Sequence, residues 1–405
     1  MHSVLNSYSQ TRQQAIRLNL VWALMVLSSV VFIEPAPYDI LSVLLFAVFF
    51  SLGLRIPAGI GPALLLLGLF LLANVVASIF SKNPVDSFVY MAITAFLLIT
   101  WLFFTSIIYE NPKQVMRIIW SGYLVAALLT VVLGLLGYFK LIPYSELFLH
   151  GGRVSSTFKD PNVFGPFLVP VVLYLSAKLT NTIRVNLWVT LAILGLIMFG
   201  ILLSFSRGAW ANLIISMVAY ILLRFSIRPS PVEIFRLGIL SGLITVLIVA
   251  AIVWAISSPQ ISNLFFERAI LFQSYDIEAG GRFSAFGEAL VKSFENPIGI
   301  GPGQSPYYFI TEPHNLYLHI LVETGWLGGI AFCFFIMLTL WRSYQFCLRR
   351  TEIHDAYIIV FASVIGVLIE SLIVHSTHWR HLYLLLAMLW GPMLAYTQPK
   401  ADAGK

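Results

Sequence analysis

The sequence predicts an all-α polytopic membrane protein with about twelve transmembrane helices. Three observations predict it. Of 405 residues, 59% are hydrophobic and only 10% are charged, whereas soluble domains run near a quarter charged. Apolar runs of about 17–25 residues, long enough to cross a hydrocarbon core of roughly 30 Å, recur along the whole chain. Only helices and closed barrels satisfy every backbone group in lipid, and runs of this length mean helices. The chain therefore reads as one integral membrane domain over residues 1–405.

The first run, Ile16–Ile33, has no small-residue cleavage site after it and reads as a retained signal-anchor. Tyr38–Leu54, Pro62–Phe80, Val85–Tyr109 and Val115–Tyr138 follow on short connectors. A longer loop, Lys140 to Pro161, precedes the sixth run, Asn162–Leu179. Asp160-Pro161-Asn162 reads as a turn and helix start, with proline at the first helical position. Arg184–Phe205 and Ala209–Phe225 meet at the turn SFSRGAW, and Phe235–Ile256 is the ninth run. The longest loop then runs from Ser257 to Pro313. It holds two amphipathic stretches, Ile261–Ser274 and Arg282–Phe294, of the kind that lie at an interface or cap a cavity. Gly280-Gly281 separates them, and IGIGPG, Ile298 to Gly303, follows. Leu316–Trp341, Ala356–Val374 and Leu382–Tyr396 complete the set, the last two joined by VHSTHWRH, Val374 to His381.

Charge sets the orientation. An even number of spans puts both termini on one side, and Arg12 and Arg17 favour the cytoplasm. Sorting every lysine and arginine by loop then gives fifteen on the cytoplasmic side against nine outside. Both long loops face outward, and the nine outer cations include Arg153, Lys159, Arg207, Arg268, Arg282 and Arg380. Cys333 and Cys347 lie fourteen residues apart. On one helix that spacing is about 21 Å of rise, too far for a disulfide.

Several outer residues have the chemistry of an anion or sugar site. Arg207 stands at an outward, glycine-containing turn, where its planar fork suits phosphate oxygens; the plainer reading is an arginine snorkelling to headgroups. Arg282 opens an amphipathic helix, whose N-terminus also favours anions; the plainer reading is a solvated loop arginine. His314 opens the tenth span and can take a proton near neutral pH, or simply be satisfied by backbone. His319, roughly 140° further round that helix, reads as packing. Arg153, Lys159 and Asn162 gather at the end of the first outer loop, and His375, His378 and Arg380 in the last outer turn. Three histidines there, His375, His378 and His381, invite a metal, but no carboxylate or cysteine stands within the turn. No metal and no cofactor is expected. Catalytic motifs of hydrolases, zinc proteases and nucleotide-binding proteins do not occur. Charges deep in the spans are few, which argues against a proton-coupled transporter.

The segment Glu312 to Gly328 contains His314, Asn315, nine residues, Gly325, two residues and Gly328. This H-N-x9-G-x-x-G pattern resembles the signature of the O-antigen ligase and O-antigen polymerase family. SFSRGAW with Arg207 and GGRFSAFGEAL with Arg282 match in the same order around the long loop. The resemblance implies a metal-independent inverting glycosyltransferase of the bacterial inner membrane, with residues 257–313 as a periplasmic loop. The donor would be a glycan on undecaprenyl diphosphate, with membrane lipids as surroundings and no nucleic acid as partner. His314 would serve as base, Arg207 and Arg282 would hold the diphosphate, and Arg153, Lys159, Asn162, Arg268, Asn315, His375, His378 and Arg380 would line the substrate site. A ligase passes the glycan to lipid A–core; a polymerase passes it to another lipid-linked repeat unit. The compact outer loop favours a single transfer, hence a ligase. The reading from another class is a non-catalytic carrier of lipid-linked glycans. A carrier would want matched binding groups on both faces, which the cytoplasmic loops do not offer.

Overall fold

In the computed structural model each of the twelve apolar runs overlaps a helix, several of which end short of the run, as α1 does at Leu27. The structure describes residues 2–180, 186–226, 231–257 and 281–397, with Ser262 and Phe266 between the last two segments. The helices are α1 (His2–Leu27), α2 (Pro37–Ser51), α3 (Gly61–Ile79), α4 (Pro84–Glu110), α5 (Pro112–Tyr138), α6 (Pro161–Thr180), α7 (Leu187–Leu203), α8 (Arg207–Ser226) and α9 (Pro231–Ser257). Then come α10 (Arg282–Glu295), α11 (Leu316–Cys347), α12 (His354–Glu370) and α13 (Arg380–Thr397). Helix α10 is the second amphipathic stretch; the first, Ile261–Ser274, falls almost wholly outside the described residues.

Among the described residues six helices, α3, α4, α5, α6, α8 and α11, are long and apolar enough to cross a membrane, and α2 and α7 are shorter apolar helices. The chain is thus a membrane protein that is nearly all helix. Prolines at the first turn start α2, α3, α4 and α5, where a missing N–H costs nothing. Asn83 and Asn111 cap α4 and α5 through their side chains. The main pairings are α8 with α12, α4 with α13, α3 with α11, and α1 with α5.

The first long loop folds back into the bundle. After a 3-10 turn at Ser145–Phe148, β1 (Leu149–His150) and β2 (Arg153–Val154) form a two-residue antiparallel hairpin. Val154 to Phe158 are buried. Thr157 Oγ1 donates to Ser29 O at 2.5 Å, and Thr130 Oγ1 lies 2.8 Å from it. A loop buried this deeply needs such partners for its polar atoms.

Helix α11 is broken at Gly325, which has φ +69° and ψ −175°. Residues 297–303 dock on the break. Ile300 N donates to Val322 O, Gly301 N to Glu323 O and Trp326 N to Pro297 O, each at 3.0 Å. A Cβ at Gly325 would stand 2.4 Å from Pro297 O, and one at Gly328 would stand 3.1 Å from Ala73 Cβ on α3. That region of backbone space is essentially glycine-only and costs other residues about 1–3 kcal/mol before any clash. Gly325→Ala is therefore expected to lower the thermal midpoint of the purified protein markedly. A midpoint equal to wild type would show that the break is not held in this form.

Candidate functional site

The helix ends near both long loops converge on two adjoining cavities. The first has a volume of about 430 Å³ and is lined by Arg153, Asp160, Asn162, Arg207, Arg282 and His314, with His375 and Trp379 on one wall. Local chemistry places each of these groups. Asp160 starts α6: its carbonyl accepts from Val163 and Phe164, and its Oδ1 accepts from Asn162 N at 2.8 Å. Asn162 Oδ1 in turn accepts from Arg153 Nη2 at 2.9 Å and Ser206 Oγ at 2.8 Å. Arg153 Nε donates to Ser204 O at 2.9 Å, which ties the hairpin to the α7–α8 turn. That turn uses Phe205 at φ +46°, and Ser206 Oγ accepts from Ala209 N at 3.2 Å as α8 begins. Arg207 is thereby set on the first residue of α8, and Arg282 on the first of α10 after Gly281.

His314 immediately precedes Asn315, whose Oδ1 accepts from Tyr317 N and Leu318 N at 3.0 Å and caps α11. Asn315 Nδ2 also donates to Leu372 O at 3.0 Å. Burial lowers the His314 pKa, and the nearby Arg282 and His319 lower it further, against the pull of Asp160. These influences favour the neutral, proton-accepting imidazole.

The second cavity, about 330 Å³, shares Val163, His375 and Trp379 with the first. Carboxylates and aromatic rings are prominent in it: Glu34, Tyr38, Tyr90, Glu312 and Glu323. Its cations are paired. Lys159 Nζ lies 2.5 Å from Glu34 Oε1. Arg380 forks onto Asp39 at 2.8 and 2.6 Å. His378 Nε2 meets Thr94 Oγ1 at 3.2 Å, and His375 Nε2 meets Thr377 Oγ1 at 2.8 Å. Burial pushes the His375 pKa well below its ordinary value, aided by His319, His378 and His314. Burial likewise takes His378 to about 4.

His319 is buried, as packing would have it, but among polar groups. Its Nε2 stands 3.1 Å from Glu323 Oε1, and its ring stacks on His375 with centroids 3.6 Å apart. Glu323 accepts from Gly303 N at 3.0 Å and Ser305 Oγ at 2.8 Å.

Of the residues the sequence singled out, Arg153, Asn162, Arg207, Arg282, His314 and His375 line the first cavity. Lys159, His375, His378 and Arg380 line the second. Asn315 serves as the α11 cap. Arg268 lies outside the described residues, as do Asp276 and Glu278. Sequence reasoning missed Glu34, Asp39, Glu312 and Glu323 as site groups, because each meets its partners only in the folded chain or on the broken helix. It also found no carboxylate to complete a metal site in the last outer turn. The fold brings one: among the described residues, Glu312, His319 and His375 each offer a donor atom within 4.8 Å of the others.

Residues 190–333 match the family model described as O-antigen ligase. This segment runs from α7 into α11 and contains Arg207, Arg282 and His314. Over this segment the chain is similar to the O-antigen ligase and polymerase family, whose members are membrane glycosyltransferase-like enzymes acting on lipid-linked glycans. No curated protein sequence matches the chain.

Arg153 is nine-tenths buried and holds two acceptors, the buried Ser204 O and the part-buried Asn162 Oδ1. Leaving a buried polar group unpaired costs about 1–3 kcal/mol. Arg153→Met should therefore lower the thermal midpoint as well as any activity, and an unchanged midpoint would count against this bracing role.

Proposed function

We propose that this chain is a member of the O-antigen ligase and polymerase family, and a ligase that moves a glycan from undecaprenyl diphosphate to lipid A–core. The setting is the periplasmic face of the bacterial inner membrane, with the twelve helices other than α10 spanning and both termini cytoplasmic. The observation that carries the reading is the convergence of Arg207, Arg282 and His314, from three separate segments, on one cavity.

The chemistry follows from what those groups can do. An acceptor hydroxyl attacks the anomeric carbon as its proton passes to the neutral His314 imidazole. The bond from that carbon to the phosphate oxygen breaks, and the diphosphate leaves with the electron pair. Fixed guanidiniums stabilise the charge that develops on it, most strongly where apolar walls keep the dielectric low. A single displacement of this kind needs no protein nucleophile and inverts the anomeric centre. The neighbouring cavity, with its carboxylates and the shared Trp379, suits the hydroxyls and ring faces of an acceptor sugar. His375 stands where the two meet.

His314→Ala should reduce transfer about 10²–10⁴-fold, the usual contribution of a general base, while the protein still inserts and folds. Near wild-type turnover in the purified variant would remove His314 from that role. Arg207→Lys and Arg282→Lys keep the charge but lose the fork, so each should impair transfer; if both are silent, the contact with diphosphate is not bidentate. Arginine meets the diphosphate charge in place of magnesium, so transfer should persist in excess EDTA. Sidedness is read by a membrane-impermeant thiol label on a cysteine introduced at Asp276, which should react from the periplasm alone. Complementation of two strains, one lacking the ligase and one the polymerase, decides between the two activities. Rescue of polymer attachment to the core supports the ligase; rescue of chain length beyond one repeat unit would make the protein a polymerase.

A further inference from the structure

The second cavity contains a buried ring nitrogen with no partner among the described residues. His319 is 4% exposed, its Nε2 is engaged by Glu323, and its Nδ1 makes no hydrogen bond to them. Glu312 and His375 stand beside it. One donor atom from each of the three residues lies within 4.8 Å of the other two. From this geometry we propose that Glu312, His319 and His375 bind a divalent transition-metal ion of the zinc class.

The surroundings are those of a prepared ligand set. A metal-binding imidazole usually donates its second nitrogen to a carboxylate, which fixes its tautomer and its direction. Glu323 does this for His319, and is itself held by Gly303 N at 3.0 Å, Ser305 Oγ at 2.8 Å and Ser305 N at 3.4 Å. His375 uses Nε2 on Thr377 Oγ1, which leaves its Nδ1 as the available donor. Donor atoms around a tetrahedral zinc stand roughly 3.4 Å apart at bond lengths near 2.0 Å, and the His319 and His375 rings must swing out of their 3.6 Å stack for both to face one ion. Two imidazoles and one carboxylate select zinc-class ions over magnesium or calcium, which prefer oxygen donors throughout. All three residues line the 330 Å³ cavity. His378 stays outside the set, since Thr94 takes its Nε2. Such an ion links the segment before α11, α11 itself and the α12–α13 turn. Neither Arg207 nor Arg282 lines this cavity, so the ion is distinct from the proposed diphosphate contacts. The inference stands whether or not the ligase reading does.

The test uses the full-length protein in detergent, with its affinity tag removed, after chelator stripping and dialysis. Zn²⁺ is titrated by calorimetry and Co²⁺ by visible absorption. The expected result is one saturable ion per chain and cobalt bands of tetrahedral intensity that Zn²⁺ displaces. His319→Gln and His375→Gln should each weaken binding at least about tenfold, as loss of even supporting groups does. His150→Gln, on the exposed β1 hairpin, should bind as wild type does. No saturable uptake by the wild type overturns the proposal, and so does uptake that survives both histidine changes. Should a histidine variant fail to fold, Glu312→Gln on its partly exposed loop decides, and unchanged affinity there also overturns it.

Discussion

Helix α11 gives up its regular turn at Gly325, and the backbone groups released there are taken up by residues 297–303. In apolar surroundings an unpaired N–H or C=O is too costly to leave, so break and docked segment come as a pair. This pairing sets the position of everything between α10 and α11. It fixes the end of α10 through Trp326 Nε1, which donates to Ser293 O at 3.1 Å. It turns Gly303 and Ser305 toward the Glu323 carboxylate. The chain that continues to Glu312 and His314 therefore starts from an anchored point, and the long loop meets α11 twice, once at each end of the helical piece before Gly325.

Charge is divided between the two cavities by pairing. Lys159 and Arg380 read in the sequence as cations for a polyanion, yet each meets a carboxylate from elsewhere in the chain, Glu34 and Asp39. Both partners flank the start of α2, far away in sequence. Among the described residues the first cavity has three arginines against one carboxylate, Asp160, which also caps α6. One chamber is thus strongly cationic and its neighbour is mixed, although the long loops carry cations throughout. Low-dielectric walls sharpen that difference.

The helices were legible because apolar length is a local property: each run of about 17–25 residues had to become a helix. The loops were less so. The first long loop looks polar and exposed in sequence, but residues from Val154 to Phe158 are buried against α5 and the end of α1. Arg207, Arg282 and His314 were found through a family pattern, and spacing alone would not have joined them. His319 was read as packing because a helical wheel turns it from His314. That geometry is right, and the residue is buried, but the wheel cannot show that His375 from another turn stacks on it. Ion pairs such as Asp39 with Arg380 join residues separated by most of the chain, which no periodicity reports.

The H-N-x9-G-x-x-G pattern can now be read as mechanics. Asn315 caps the helix and Gly325 ends its first piece, so the nine residues between are a helical rod of fixed length, about 14 Å at 1.5 Å per residue. His314 sits just outside the cap, His319 and Glu323 lie one turn apart on the rod, and the docked 297–303 segment grips its far end. Adding or removing one residue would rotate the capped end by about 100° relative to the gripped end. His314 would then leave the arginine cavity while the glycines stayed in place. The spacing belongs to the site because it sets the angle between the histidine and the loop that brings Arg282 to it, and Gly328 secures the rod by letting α11 lie close against α3.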